Sequence, residues 1–245
     1  MWYKLKRILI YPDGVTEKQV YPKYEWKPNA NTLAYYPLTS TTTVNDMSGN
    51  NRNLTNNWAT FWTYAGVDCV LLPSADTKKL YWTLPLTWNQ TFTVNVYIQR
   101  IWNSTQSQYS WQIFVLWDIG TNWATFWTSI KNSTAANPNT YLTWTRWTDI
   151  TSTDTNTTWK RELITVINDT SNVKLYKNWT LIMDNSMSFN IGSTNFAIWS
   201  FSSSSQRWWF QNFYWYMSRF IVEDKVRTAQ EIQDYYNQTK SNYWL

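Results

Sequence analysis

The clearest alternation of apolar and polar positions lies near the carboxyl end. Tyr214, Tyr216, Ser218, Phe220 and Val222 alternate with Trp215, Met217, Arg219 and Ile221. A period of two, in a run rich in aromatic and β-branched residues, predicts a strand. After a short turn at Glu223-Asp224-Lys225 the spacing becomes helical, with Ile232, Tyr235 and Tyr236 on one side. Thr228 precedes Glu231 by three residues, the spacing of a capping box. A core strand and one short capped helix therefore close the chain.

The rest of the pattern is short strands. Thr32 to Leu38, Val67 to Leu72, Thr91 to Ile98, Gln112 to Leu116, Ala124 to Ile130, Thr140 to Thr143, Glu162 to Ile167, Val173 to Tyr176 and Leu181 to Met183 all read as strands. Asn195 to Ser200 and Trp208 to Phe210 lead back to the closing strand. Asp76 to Leu80 reads as a polar turn, Ser202 to Ser205 as a surface loop, and the Thr/Asn/Asp-rich Asp149 to Thr158 as a loop. So many strands with turns between them predict an all-β sandwich or jelly roll.

Residues 1–28 read as a separate piece. Tyr3 to Tyr11 is a strand, Pro12-Asp13-Gly14 a turn, and Lys18 to Pro22 a second short strand. Such a hairpin is marginal alone. It is expected to pack on the sandwich, on a second copy of the chain or on an assembly such as a virion. The linker Lys27-Pro28-Asn29-Ala30-Asn31 marks the boundary, and residues 29–245 form the sandwich.

Composition narrows the function. Charged residues are 15% of the 245, and the net charge of +5 is spread along the chain apart from Lys4, Lys6 and Arg7. That argues against a nucleic-acid partner. With no histidine, His-based catalytic triads and most zinc sites are excluded. The single cysteine, Cys69, lies in an apolar run and reads as a buried small hydrophobe. No run reaches transmembrane length, and Ile8-Leu9-Ile10 is too short for a signal-peptide core.

The two ends of the sandwich carry a family resemblance. Phe213, Trp215, Met217, Phe220 and Val222, then Val226, Thr228, Glu231, Ile232 and Tyr235, resemble the closing strand and helix of laminin G-like domains, within the concanavalin A-like lectin/glucanase superfamily. Tyr35-Tyr36-Pro37-Leu38 followed by Val44-Asn45-Asp46-Met47-Ser48-Gly49-Asn50 resembles the opening of the same domains. Val173 to Met183, around Asn178-Trp179, resembles their hairpin. The resemblance implies a concanavalin A-like jelly-roll β-sandwich with a short carboxyl-terminal helix.

It also implies chemistry to weigh. The glucanases of the superfamily carry Glu-x-Asp-x-x-Glu on a strand; the chain has no such motif, and Glu162, following Lys160-Arg161, reads as an ion-pair residue at a strand start. No enzyme activity is expected. Calcium wants several oxygen ligands, and Asn45, Asp46 and Asn50 are the candidates, although Asp46 and Ser48 also suit a loop-capping role. The closing strand has Met217-Ser218 where many laminin G-like domains carry acidic residues. For sugar binding the candidates are Tyr64, Arg146, Asn195, Arg207 and Tyr214. The expected function is a non-catalytic recognition or adhesion module on a virion or cell surface, with a glycan or a surface protein as partner. The alternatives are a structural virion protein that makes only protein contacts and, more distantly, a glycoside hydrolase.

The letters themselves are anomalous. There are 20 tryptophans and 5 glycines, whereas average glycine usage of about 7% would give roughly 17. Tryptophans stand where turns call for glycine: Asn178-Trp179 between two strand patterns would be a strong hairpin signal as Asn-Gly. Asn57-Trp58-Ala59-Thr60-Phe61-Trp62-Thr63 recurs nearly unchanged at Asn122 to Thr128. The expectation is that UGA codons are read as glycine in the source and that most of these tryptophans, Trp26 excepted, are glycines in the native protein; the alternative is that they are real aromatics for stacking sugars.

Overall fold

The computed structural model describes residues 26–38, 44–57, 59–64, 67–72, 79–84, 91–100, 110–118, 125–131, 140–145, 148–155, 160–186, 194–198 and 215–243. The proposed amino-terminal hairpin lies outside them. The strands are β1 (Thr32–Tyr36), β2 (Thr55–Asn57), β3 (Thr60–Tyr64), β4 (Val67–Leu72), β5 (Lys79–Leu84), β6 (Phe92–Arg100), β7 (Ser110–Asp118), β8 (Thr125–Lys131), β9 (Thr140–Thr145), β10 (Thr148–Thr155), β11 (Arg161–Asn168), β12 (Asn172–Lys177), β13 (Thr180–Ser186), β14 (Thr194–Ile198) and β15 (Trp215–Glu223). Helix α1 (Ala229–Thr239) and a 3-10 turn at Lys240–Tyr243 follow.

Among the described residues two antiparallel sheets form. One has eight strands in the order β13-β12-β11-β6-β15-β4-β3, with β1 also on β15; the other has seven, β10-β9-β8-β7-β14-β5-β2. The core lies between them. Phe92, Val94, Val96 and Ile98 of β6, Ile164 and Val166 of β11, and Val173 and Leu175 of β12 meet Leu80, Ile113 and Ile198 of the other sheet. The predicted all-β sandwich is the observed architecture.

Three local readings are corrected. Asp149 to Thr158 is not all loop, because Thr148–Thr155 forms β10 at the edge of its sheet. Threonine is β-branched and suits a strand, and an edge position tolerates polar residues on both faces. Lys79 and Leu80 open β5 rather than ending a turn. In β15 the alternation is not strict: Met217, Phe220 and Val222 all belong to the core. A bulge at Arg219 reconciles them, with φ of 50° and a register shift between Ser218 and Phe220. The bulge also divides the strand's outer edge, where β4 pairs with Trp215–Met217 and β1 with Phe220–Glu223.

The middle of the eight-stranded sheet is covered on its outer face. Thr93, Asn95, Tyr97 and Gln99 point away from the core yet are buried: Thr93 meets the segment before α1, Asn95 and Gln99 bond to Thr165 and Arg161 of β11, and α1 with its 3-10 turn lies over Tyr97. Ile232 packs on Ile167 and Tyr176. Tyr235 and Tyr243 join Trp26, Tyr35, Tyr97, Leu163 and Ile221. The Tyr97 and Tyr243 rings stack with centroids 3.7 Å apart, and the Tyr97 hydroxyl bonds to Thr239 Oγ1. Burial pushes the Tyr243 phenol up to about 12.

The helix starts as its sequence requires. Glu231 N–H donates to Thr228 Oγ1 at 3.2 Å, and Thr228 N–H donates to Glu231 Oε2 at 2.9 Å. Thr228→Ala is expected to cost about 1 kcal/mol, read from the urea midpoint, with Thr228→Ser close to wild type. An unchanged midpoint for the alanine variant would show that packing alone sets the helix start.

Candidate functional site

The loop after β1 is held by one carboxylate. Tyr35 N–H and Ser48 N–H both donate to Asp46 Oδ1 at 2.9 Å; Ser48 Oγ and Arg52 N–H donate to Oδ2 at 2.7 and 3.0 Å. Asp46 N–H in turn donates to Asn53 Oδ1 at 2.9 Å. Gly49 supplies the left-handed turn at φ 90°, which a side chain would strain. Asn50 donates its amide to the carbonyls of Thr32 and Leu33 at 2.9 and 3.1 Å. The Tyr36 hydroxyl, buried against the loop, donates to Arg52 O at 2.7 Å. Burial, reinforced by Asp46, pushes that phenol well above its ordinary range.

Of the three calcium candidates, Asp46 is thus buried and engaged with four donors, Asn50 turns its N–H groups to backbone carbonyls, and Asn45 is exposed. A cation at Asp46 would have to displace amides that close the loop. Among the described residues no group of three or more His, Cys, Asp or Glu side chains is placed to hold a metal ion.

The two sugar candidates among the described residues, Tyr64 and Asn195, stand on different sheets. Tyr64 ends β3, at the edge of the eight-stranded sheet, while Asn195 lies in β14, inside the other sheet. Arg146, Arg207 and Tyr214 lie outside the described residues. Glu162, the nearest thing to a catalytic carboxylate, is buried and sits 3.7 Å from Lys177 Nζ of the neighbouring strand. Cys69 is buried as expected, its Sγ 3.3 Å from the Trp62 carbonyl.

Register identifies a face that sequence reading missed. In the seven-stranded sheet, Leu80 and Ile198 are paired and both buried in the core. Positions one residue away fall on the opposite face, since strand positions alternate. One row across that face runs Tyr81, Ala197, Val115, Trp127, Trp144, Asp149. The adjacent row runs Thr83, Asn195, Trp117, Thr125. Among the described residues the one α-helix lies on the other sheet, and none covers this face. The signal was hidden because its members are scattered over six strands and join only through register.

The fold defines an antiparallel β-sandwich. No protein-family model and no curated protein sequence matches the chain. Solved structures do match in fold. The chain is similar to the binding domain of Paraclostridial Mosquitocidal Protein 1, at TM-score 0.64 and 14% identity over 84% of this chain and 52% of that one. It is similar to domain 4 of AbnA, a GH43 extracellular arabinanase of Geobacillus stearothermophilus, solved in complex with arabinotriose, at TM-score 0.60 and 14% identity over 83% and 97%. It is also similar to the ligand-binding domain of botulinum neurotoxin serotype D, solved with N-acetylneuraminic acid, at TM-score 0.62 and 14% identity over 84% and 50%. The chain spans about half the length of the toxin domains it matches.

Proposed function

We propose that the chain is a non-catalytic carbohydrate-binding module, laminin G-like in type, used for recognition or adhesion at a virion or cell surface. The observation that carries this reading is the similarity to AbnA domain 4, which is matched over nearly its whole length and was solved with an oligosaccharide. A second support is the face of the seven-stranded sheet on which no helix lies among the described residues, where Asn195 and Asp149 stand in rows with Thr83 and Tyr81. Amides and carboxylates are the groups that hydrogen-bond sugar hydroxyls. The extracellular setting belongs to the same proposal; among the described residues no helix is long and apolar enough to cross a membrane.

The test is a glycan array that includes arabinan oligosaccharides and sialylated glycans, probed with folded protein. Selective binding is expected, weakened about tenfold by Asn195→Ala or Asp149→Ala, the loss of roughly one hydrogen bond. A folded protein that binds no glycan would sink the reading and leave the structural virion protein in its place.

A further inference from the structure

Trp26 stands before the first strand, yet it is part of the core. It is 7% exposed and meets the Tyr35 ring edge-on at 4.8 Å. Trp62 and Trp179, by contrast, are 55% and 47% exposed. Trp26 shares a buried cluster with Tyr97, Leu163 and Ile221 of the sheet, Tyr235 of α1 and Tyr243 of the 3-10 turn. A large ring buried among other rings is a strong hold.

The residues from Lys27 to Asn31, which the sequence reads as a linker, leave no loose joint. Their side chains from Lys27 to Asn31 are exposed, so backbone restraint holds them rather than burial. Pro28 fixes its own φ and keeps Lys27 extended. Asn31 N–H donates to Asn29 Oδ1 at 2.8 Å, the local bond that makes asparagine a turn residue. Asn29 N–H donates to Thr32 Oγ1, and Thr32 N–H to Asn29 O, each at 2.9 Å. Asp224 N–H then donates to Asn31 O at 2.7 Å, which ties the turn to the bend between β15 and α1. A flexible linker has none of these restraints.

We infer that residues 26–31 are a rigid bracket of the sandwich, with Trp26 as its anchor, and that the bracket fixes the direction in which residues 1–25 leave. The boundary of the sandwich then lies before Trp26 rather than at Asn29. The exit is on the outer face of the eight-stranded sheet, beside Tyr35, Ile221 and α1. The face proposed for glycan belongs to the other sheet. A protein that grips residues 1–25 therefore holds the module from the side opposite the sugar and at a set angle, a clause that rests on the proposed function.

The test is a spin-label distance measurement on the full chain. One label goes on Tyr24→Cys, just before the anchor, and one on Asn237→Cys, exposed on α1; Cys69 is fully buried and stays unlabelled. A control pair within the sandwich uses Leu181→Cys with Asn237→Cys, both exposed positions. The expected result is a single distance from position 24, as narrow as the control. Adding Trp26→Ala should broaden it about twofold or more, since a segment freed of its core contact samples many directions, and Trp26→Phe should keep it narrow. A broad distribution in the chain with Trp26 intact would overturn the inference, and that result stands even where Trp26→Ala fails to fold. An equally narrow distance in a folded Trp26→Ala chain would overturn Trp26 as the anchor. A narrow distance in a protein that binds no glycan would uphold the bracket and remove the proposed function.

Discussion

Arg227→Met is expected to destabilise the protein by about 3–5 kcal/mol, the usual cost of stranding a buried charge. Glu223 ends β15 with a side chain 0% exposed, and Arg227, at 12%, reaches back over the bend before α1 to meet it. Arg227 Nη2 donates to Glu223 Oε1 at 2.7 Å, and Nε donates to Oε2. Removing the guanidinium leaves a carboxylate that water cannot reach. The double variant Glu223→Leu/Arg227→Met should recover most of the loss, because no charge is left unpaired. Lys225→Ala is the contrast. Its pair with Glu231 is about a third exposed on each side, so a loss below about 1 kcal/mol is expected. Urea unfolding with an unchanged slope checks all three. A Met variant as mild as Lys225→Ala would show that Glu223 finds water after all.

The closing segment was the most legible part of the sequence. Its strand, capping box and helix are local patterns, set by residues within a few positions of one another. The opening loop was legible for the same reason, since Asp46, Ser48 and Gly49 act on neighbouring amides. What the sequence hid was non-local. The Arg219 bulge cannot be read from alternation, because one inserted residue keeps each half of the strand regular. Glu223 and Arg227 look like surface charges until β15 and α1 bury them. β10 looks like a loop because an edge strand needs no apolar face.

The candidate site was less legible still. Tyr64 and Asn195 were chosen by residue type, and the fold places them on different sheets. Asn195 gains meaning only from its register with Thr83 and Trp117. The tryptophans compound the difficulty. Read literally, Trp117, Trp127 and Trp144 would offer rings for sugars to stack on; read as glycine, they would offer none. Composition raised that question, and the contrast of buried Trp26 with exposed Trp62 and Trp179 gave it a structural form.

Asp46→Ala is the second large effect expected, about 3–4 kcal/mol. The buried Tyr35 amide loses its acceptor, which costs about 1–3 kcal/mol. The amides of Ser48 and Arg52 are part-buried and recover some of their loss from water. Asp46→Asn should cost about half as much, since its carbonyl can keep Tyr35 and Ser48 while its NH2 faces the Arg52 amide. The ordering Asp, Asn, Ala in urea midpoint is the signature of a carboxylate that serves backbone donors. A calcium ligand predicts something different: a wild-type midpoint that rises with calcium and falls with EDTA, and an Asn variant that has lost the response. Because all four donors to Asp46 come from its own loop and the adjoining β1, the wild-type midpoint is expected to ignore both additions. A calcium-dependent midpoint would mean that the ion displaces the Ser48 and Arg52 donors, and the loop would then be a metal site held closed by protein groups until the cation arrives.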